Sequence, residues 1–161
     1  MNTTFSTDST VNTTPLKIDS ALSAQVQVVG DSLRAKGWSV SCAESCTGGG
    51  IAFAFTSVSG SSDWFNQSWI TYSNDAKKRT LGVSEQTLQE FGAVSKQTVK
   101  EMAEGVRRNS GAQLVVTVSG IAGPGGGSEE KPVGTVWFGF MCGAMSEQIK
   151  QVFSGDRDEV R

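Results

Sequence analysis

The sequence predicts an α/β protein with a mixed central sheet of about five strands and helices on both faces of that sheet. Segments with helical periodicity alternate with short apolar runs, which is the pattern of strands connected by helices. The run at 114–119 is almost continuously apolar, as expected for a central strand covered on both faces. Two strand-like runs at 135–141 and 147–153 flank Gly143, which predicts an antiparallel hairpin.

The N-terminal segment is predicted to be a tail outside the folded domain. Residues 1–19 consist mainly of Thr, Ser and Asn, so they bury too little apolar surface to offset the conformational entropy of the chain. We therefore expect a disordered polar tail at 1–19 and one domain at 20–161, a length that suits a single hydrophobic core.

Capping residues predict where the helices begin and end. Asp19 or Ser20 begins the first helix and Gly37 ends it. The apolar positions on one face of this helix are Leu22, Val26, Val29 and Leu33. Later helices are expected to begin at the caps Asn74, Ser84 and Ser95. A half-buried strand is expected at 38–42 and another strand at 69–73.

Composition and charge exclude several classes of function. The net charge is −2, from 14 basic and 16 acidic residues, and no basic run extends beyond 77–79, so nucleic acid is not an expected partner. The chain has no histidine, which excludes a Ser-His-Asp triad, a Cys-His pair and any histidine-containing metal site. Three cysteines without a CxxC pair, and no long apolar segment, predict a cytoplasmic protein that does not enter a membrane.

The segment AESCTGGG at 43–50 is predicted to form an active-site turn between a strand and a helix. The hydroxyl of Ser45 could cap that helix, while the free N–H groups of the first helical turn could hold an anion or a developing oxyanion. The same position suits a nucleophile, so a capping serine and a catalytic serine remain open alternatives. Thr47 could likewise donate to a ligand or cap the helix.

Without histidine, a serine nucleophile needs another base, and lysine can serve when burial lowers the pKa of its ammonium group. Lys77 is the best-placed candidate because it lies in the first turn of the helix after 69–73, where the helix N-terminus disfavours positive charge. The alternative is a solvated charged face formed by 77–79, and Lys131 is the rival lysine. Tyr72 could orient Lys77 or only pack.

A glycine-rich loop at 120–127 follows the strand at 114–119. The loop lacks the Gly-Lys-Ser/Thr ending of a P-loop and does not open a clear helix, as a dinucleotide-binding fingerprint requires. Its backbone N–H groups could approach a phosphate, or its glycines could form a flexible turn, and both alternatives stay open.

Five ordered sequence blocks carry a family resemblance. They are AESCTGG at 43–49, TYSNDAK at 71–77, GAVS at 92–95, SGIAGPGGGS at 119–128 and KPVGTV at 131–136. Together they resemble the CinA C-terminal domain family over about residue 20 to the end of the sequence. The resemblance implies a three-layer α/β/α sandwich. From the stand-alone form of the family, it also implies an amidohydrolase of pyridine nucleotide salvage that converts nicotinamide mononucleotide to nicotinate mononucleotide and ammonia.

The resemblance also implies functional residues. Ser45, Lys77 and Tyr72 fall on the catalytic serine, lysine and tyrosine of the family, which implies a Ser–Lys amidase without metal or cofactor. The predicted substrate contacts are Thr47, Gly48, Asn74, Gly123, Gly125, Gly126, Gly127 and Arg157. The partner is then a small pyridine nucleotide, and the sequence leaves open whether the chain forms a homo-oligomer. The alternative is a non-catalytic nucleotide-binding or regulatory domain linked to competence or DNA damage.

Overall fold

The computed structural model describes residues 17–161 of the chain. The predicted disorder of the N-terminal tail therefore concerns residues that, apart from 17–19, lie outside the described range. Asp19 lies within this range and caps the first helix, because its carboxylate accepts a hydrogen bond from the N–H of Leu22 at 2.7 Å. The first helix thus begins where the sequence predicted.

Six α-helices, one 3₁₀ turn and five strands form within residues 17–161. The helices are α1 (Ser20–Lys36), α2 (Gly50–Thr56), α3 (Asn74–Leu81), α4 (Glu85–Phe91), α5 (Lys96–Ser110) and α6 (Arg157–Val160). The strands are β1 (Val40–Glu44), β2 (Phe65–Ile70), β3 (Leu114–Gly120), β4 (Thr135–Cys142) and β5 (Met145–Val152). The 3₁₀ turn covers Ser61–Asp63, between α2 and β2.

The five strands join one mixed sheet in the order β2-β1-β3-β4-β5. β1 is parallel to β2 and β3, whereas β4 and β5 pair antiparallel and form the predicted hairpin around Gly143. Because β1 and β3 run in the same direction, with Glu44 opposite Val118, their carboxyl ends lie side by side at one edge of the sheet. The turn after β1 and the glycine-rich loop after β3 therefore meet at this edge.

Helices cover both faces of the sheet, which confirms the α/β arrangement with helical layers on either side. α5 packs against β1, β3, β4 and β5, and it shares an apolar cluster with α3, α4 and Val115. A second cluster contains residues of α1 and α2, the indole of Trp64, and the partly buried Val116. Val115 packs in the first cluster and Val116 against the second. Because consecutive residues of a strand point to opposite faces, these two clusters lie on opposite faces of the sheet.

The close contact of α5 with α3 fixes the helix that carries Lys77. A Cβ atom at Gly105 of α5 would come within 2.1 Å of the carbonyl oxygen of Leu81, the last residue of α3. Only glycine permits this approach of the two helices. This contact at the C-terminal end of α3 fixes the position of the helix, and so the position from which the side chain of Lys77 extends.

Both strands predicted before residue 75 differ from the observed ones. The strand predicted at 69–73 is shifted, because β2 spans Phe65–Ile70 to pair in parallel along β1, and Tyr72 lies beyond its end. β1 begins at Val40 and is buried at every position, because it has a strand on each side and helices on both faces. The expectation of a half-buried strand at 38–42 is therefore wrong.

The N-termini of three further helices test the predicted caps. Ser84 and Ser95 cap α4 and α5 as predicted. Asn74 is the first residue of α3 and not its cap, because the hydroxyl of Ser73 accepts the hydrogen bond from the N–H of Ala76 at 3.0 Å.

Candidate active site

A cavity of about 290 Å³ opens at the edge of the sheet where β1 and β3 end. Ligands of α/β proteins commonly bind at this position, outside the carboxyl ends of the strands. The predicted site residues that line the cavity are Ser45, Tyr72, Lys77, Gly123, Gly125, Gly126 and Arg157. These residues come from the turn after β1, the segment after β2, α3, the loop after β3 and α6, so the fold brings together five separate parts of the chain.

Four residues predicted as substrate contacts do not line the cavity. Thr47 donates its hydroxyl to the carboxylate of Glu44, and Gly48 is exposed in the same turn. Asn74 is exposed at the start of α3. Gly127 packs beside the main chain that follows it, where a Cβ atom would lie 2.8 Å from the backbone nitrogen of Val133.

Lys77 and Ser45 are in direct contact. The side chain of Lys77 is 1% exposed, and its Nζ lies 3.0 Å from Ser45 Oγ. Nζ also donates to the carbonyl oxygens of Thr71 at 2.8 Å and Tyr72 at 3.3 Å. A neutral amine has two N–H groups and one lone pair, so the two carbonyls can accept both N–H groups while the lone pair faces the serine hydroxyl. This geometry allows Ser45 to give its proton to Lys77.

Burial lowers the pKa of Lys77 from 10.5 to about 8, and an electrostatic interaction with the neighbouring Cys46 offsets only part of this effect. No ion pair within residues 17–161 includes Lys77. The cost of burying the charged ammonium is therefore not offset by a neighbouring carboxylate. At pH 7 the amine of Lys77 is then neutral in about a tenth of the molecules, which suits a general base. The rival Lys131 lies elsewhere and donates to the carbonyl oxygen of Phe91 at 2.7 Å.

Glu44, the last residue of β1, holds the turn that carries Ser45. Its side chain is completely buried, and its carboxylate accepts hydrogen bonds from the Thr47 hydroxyl and from three backbone N–H groups at 2.9–3.1 Å. These N–H groups belong to Gly49, Ile51 and Ala52. Since they belong to the start of α2, Glu44 takes the place of a helix cap.

The hypothesis that Ser45 or Thr47 caps α2 is therefore wrong. The N-cap position is Gly49, which has no side chain, and the acceptor is the carboxylate of Glu44. Sequence reasoning did not assign Glu44 a role, although it lies within the block at 43–49. The available signal was an acidic residue at the end of a strand, just before the positive end of a helix.

The turn also presents backbone N–H groups near Ser45. The N–H of Ser45 itself donates to the carbonyl oxygen of Val118 at 3.1 Å, which ties the turn to β3. Within residues 17–161, the N–H groups of Cys46 and Thr47 donate to no backbone carbonyl. Both lie beside the sulfur of Cys46, and the N–H of Cys46, a residue that lines the cavity, can also donate to an oxyanion that forms on a group bonded to Ser45.

Cys46 lines the cavity beside Ser45 and is a second potential nucleophile. Burial raises the pKa of its thiol above 9.0, only partly offset by nearby backbone N–H groups and by Lys77. The thiolate form is thus disfavoured at neutral pH. The hydroxyl in contact with the amine of Lys77 is that of Ser45, so the geometry favours Ser45 as the nucleophile.

Tyr72 and Arg157 form one rim of the cavity. The hydroxyl of the exposed Tyr72 ring accepts a hydrogen bond from Nη2 of Arg157 at 3.0 Å, and Nη1 of Arg157 donates to the carbonyl oxygen of Gly123 at 2.8 Å. Tyr72 contacts Lys77 through its carbonyl oxygen and not through its phenol. Any orienting effect of Tyr72 on Lys77 therefore acts through the main chain.

The glycine-rich loop lies next to Arg157 and has backbone N–H groups to offer. Within residues 17–161, the N–H groups of Gly123, Gly125 and Gly126 donate to no backbone carbonyl. Gly123 has a φ of 84°, and a Cβ atom there would lie 2.6 Å from a methyl carbon of Val133, so this position requires glycine. A guanidinium beside uncommitted N–H groups suits the binding of a phosphate.

Comparison with known proteins places this arrangement in a family. A family model described as the CinA C-terminal domain matches residues 22–161. The chain belongs to the CinA C-terminal domain family. Among curated CinA-domain relatives, it is 61% identical over 135 residues to nicotinamide-nucleotide amidohydrolase PncC of Enterobacter agglomerans, a match that covers 83% of this chain and 82% of the relative. It is 52% identical over 145 residues to the protein of the same name from Escherichia coli, covering 89% and 87% of the two chains.

A solved structure of a CinA-domain relative has the same fold. The competence/damage inducible protein CihA from Agrobacterium tumefaciens is 40% identical and superposes with a TM-score of 0.87, covering 91% of this chain and 90% of that one. The family recognised from the five sequence blocks is thus confirmed.

The helices and the acidic and sulfur side chains of residues 17–161 bear on membrane and metal binding. None of the helices there combines the length and apolar character needed to cross a membrane. Those residues also contain no group of three or more His, Cys, Asp or Glu side chains that could hold a metal ion. The groups that this CinA-domain cavity offers to a ligand are an amine, a guanidinium, a thiol, hydroxyls and backbone N–H groups.

Proposed function

We propose that this CinA-domain protein hydrolyses the carboxamide of nicotinamide mononucleotide, yielding nicotinate mononucleotide and ammonia. The observation that carries the proposal is the contact of the buried amine of Lys77 with the hydroxyl of Ser45. The substrate is supported by two relatives named nicotinamide-nucleotide amidohydrolase, which are 61% and 52% identical to the chain.

Acylation begins with proton transfer from Ser45 to Lys77. The neutral amine accepts the hydroxyl proton while Ser45 Oγ forms a bond to the carboxamide carbon, and the carbonyl electron pair moves to oxygen. The N–H group of Cys46, which lines the cavity, stabilises that oxyanion. The C–N bond then breaks as the leaving nitrogen takes the proton from the Lys77 ammonium, so ammonia departs and an ester remains on Ser45.

Deacylation uses the same groups with water as the nucleophile. Lys77, neutral again, accepts a proton from the attacking water, and the new oxyanion accepts a hydrogen bond from the same N–H group. When the ester C–O bond breaks, Lys77 returns its proton to Ser45 Oγ. The cycle consumes one water and releases one ammonia and one carboxylic acid, without a metal ion or a redox step.

The 5′-phosphate of the substrate is bound where the glycine-rich loop and Arg157 line the cavity. The N–H groups of Gly123, Gly125 and Gly126 and the guanidinium of Arg157 supply its hydrogen bonds. Phosphate binding there fixes the nucleotide while the carboxamide reaches Ser45, so binding energy remote from the reacting carbon contributes to catalysis.

The direct test is to incubate the purified protein with nicotinamide mononucleotide and to follow ammonia and the acid product by mass spectrometry. Equal amounts of ammonia and nicotinate mononucleotide support the proposal, with Ser45→Ala as the inactive control. Tight binding of the nucleotide in calorimetry without any turnover would overturn it in favour of a non-catalytic nucleotide-binding domain.

A further inference from the structure

Lys131 connects two segments that line the catalytic cavity, although it does not line the cavity itself. Its Nζ donates to the carbonyl oxygen of Phe91, the last residue of α4, at 2.7 Å. Ala93 and Val94, which follow α4 in the chain, line the cavity. Lys131 itself belongs to the connection from β3 to β4, which also carries the glycine-rich loop of the cavity. The mechanism above does not use this contact.

The segment 92–94 is held in place by α5. The carbonyl oxygen of Gly92 accepts hydrogen bonds from the hydroxyls of Ser95 at 3.0 Å and Thr98 at 2.7 Å. Ser95 is the N-cap of α5, Thr98 lies in its first turn, and both residues are buried. Since α5 packs against four strands of the sheet, segment 92–94 has a fixed position that does not depend on Lys131.

The glycine-rich loop, in contrast, packs on the residues around Lys131. The N–H of Ser128 donates to the carbonyl oxygen of Lys131 at 2.9 Å, and the N–H of Lys131 donates to the Ser128 hydroxyl at 3.1 Å. Cβ atoms at Gly123 and Gly127 would lie only 2.6 and 2.8 Å from atoms of Val133. Because the loop is in direct contact with the segment that begins at Lys131, the position of that segment sets the position of the loop.

The carbonyl that Lys131 contacts favours a cation. It lies at the C-terminal end of α4, where backbone carbonyls lack partners within the helix and a positive charge is stabilised. Within residues 17–161, Lys131 takes part in no ion pair, so no carboxylate competes for its ammonium group. Arg157 holds the loop at a second point, the carbonyl oxygen of Gly123. Arg157 lines the cavity, whereas Lys131 acts from outside it.

We propose that Lys131 is a positioning residue that holds the glycine-rich loop against the fixed segment 92–94 and thereby places the N–H groups of the loop for the 5′-phosphate of the substrate. Without this hydrogen bond, binding of the phosphate must also order the loop, which weakens binding. The contact of Ser45 with Lys77 is made by other segments and stays intact. This inference rests on the proposed amidohydrolase function.

The test compares Lys131→Met with the parent protein on nicotinamide mononucleotide and on nicotinamide riboside. Methionine has a similar length but no N–H group. We expect KM for the mononucleotide to rise about tenfold, as for the loss of one charge-assisted hydrogen bond, while kcat stays within about twofold. For the riboside, which has no phosphate, kcat/KM should stay within about twofold of the parent value. Lys131→Arg keeps charged N–H donors and should restore most of the affinity for the mononucleotide.

Lys96→Met is the matched control. Lys96 lines a second cavity, of about 510 Å³, together with Lys131, but its side chain is exposed and takes part in no ion pair within residues 17–161. Its loss should leave the kinetics on both substrates unchanged. Lys131→Gln, whose shorter side chain does not reach the carbonyl of Phe91, should repeat the rise in KM even if the methionine variant folds poorly.

Two results would overturn the inference while the proposed function stands. One is an unchanged KM for the mononucleotide in both Lys131→Met and Lys131→Gln. The other is an equal fall in kcat/KM for the mononucleotide and the riboside, which would show that Lys131 acts on the whole cavity and not on the phosphate end. A parent protein that hydrolyses neither compound would overturn the proposed function and this inference with it.

Discussion

Lys77 Nζ lies 3.0 Å from Ser45 Oγ, although 32 positions separate the two residues in the chain. The amine reaches the hydroxyl from α3, while the hydroxyl is carried by the turn after β1. Two carbonyl oxygens of the segment before α3 hold the amine in this direction. The protonation state of this one side chain therefore controls whether Ser45 can be activated.

The rate of hydrolysis is expected to follow the titration of Lys77. Because the neutral amine is the base, protonation below its pKa of about 8 removes activity. We expect kcat/KM to rise about tenfold per pH unit up to pH 8 and to level off above it. A pH profile of kcat/KM from 6 to about 10 measures this, and a profile that is flat across pH 8 contradicts the assignment.

Substitutions of Lys77 separate a base from a structural cation. Lys77→Arg keeps the positive charge but cannot give up a proton, so we expect a folded protein with no turnover. Lys77→Met removes the amine at similar length and should fold at least as stably, because no charge is then buried. Activity of Lys77→Arg within about tenfold of the parent would show that the lysine acts only through its charge.

Ser45→Ala is expected to abolish turnover with little loss of stability. The structure gives the capping role to Glu44, so removing the Ser45 hydroxyl costs only its contact with Lys77, about 1 kcal/mol of the free energy of unfolding. Cys46→Ala is the matched control at the neighbouring position and should retain most activity, because burial keeps its thiol protonated. If instead Cys46→Ala is inactive and Ser45→Ala is active, the nucleophile is the cysteine.

Glu44→Gln should impair both stability and kcat. The amide has one NH₂ group in place of a carboxylate oxygen, so it cannot accept all the hydrogen bonds from the start of α2, and buried N–H groups lose their partner. We expect the free energy of unfolding to fall by about 2–4 kcal/mol and kcat to fall more than KM rises, because the Ser45 turn moves. Thermal unfolding and steady-state kinetics measure the two effects.

The control for this substitution is Glu104→Gln on the exposed side of α5, which should leave both properties unchanged. If Glu44→Gln matched the parent in stability, the carboxylate would have no role in holding the turn.

The phosphate contacts predict that nicotinamide riboside is a poor substrate. Charge-assisted contacts contribute about 1.5–3 kcal/mol each, so loss of two should lower kcat/KM at least about a hundredfold relative to the mononucleotide. Arg157→Ala should lower kcat/KM for the mononucleotide much more than for the riboside, whereas Arg79→Ala on the exposed face of α3 should affect neither. Equal efficiency on the two substrates would show that the glycine-rich loop is structural.

Hydrolysis is expected to survive exhaustive chelation. The chain contains no histidine, and its residues 17–161 hold no group of acidic or cysteine side chains suited to a metal ion. Activity measured after prolonged dialysis against EDTA should equal that of untreated protein. Loss of activity that a divalent ion restores would contradict the Ser–Lys mechanism.

Local sequence patterns determined much of the molecule. Periodicity and caps predicted the helices beginning after Asp19, Ser84 and Ser95, because these signals depend on neighbouring residues alone. The continuous apolar run at 114–119 predicted a central strand for the same reason. The absence of histidine and the ordered blocks directed attention to Ser45 and Lys77 as a pair, and the structure brings them into contact.

Tertiary structure decided what depends on partners distant in the chain. Pairing with β1 sets the bounds of β2. Polar residues before position 69 therefore belong to the strand, whereas only the first two residues of the aromatic and β-branched segment at 69–73 do. Glu44 replaces a local cap because a parallel strand ends in line with the start of α2. Lys77 is buried because α3 packs against α5 and brings the amine next to Ser45. That burial lowers the pKa of Lys77 below its ordinary value. Burial and hydrogen bonding across the layers are properties of the packed chain, so no window of sequence contains them.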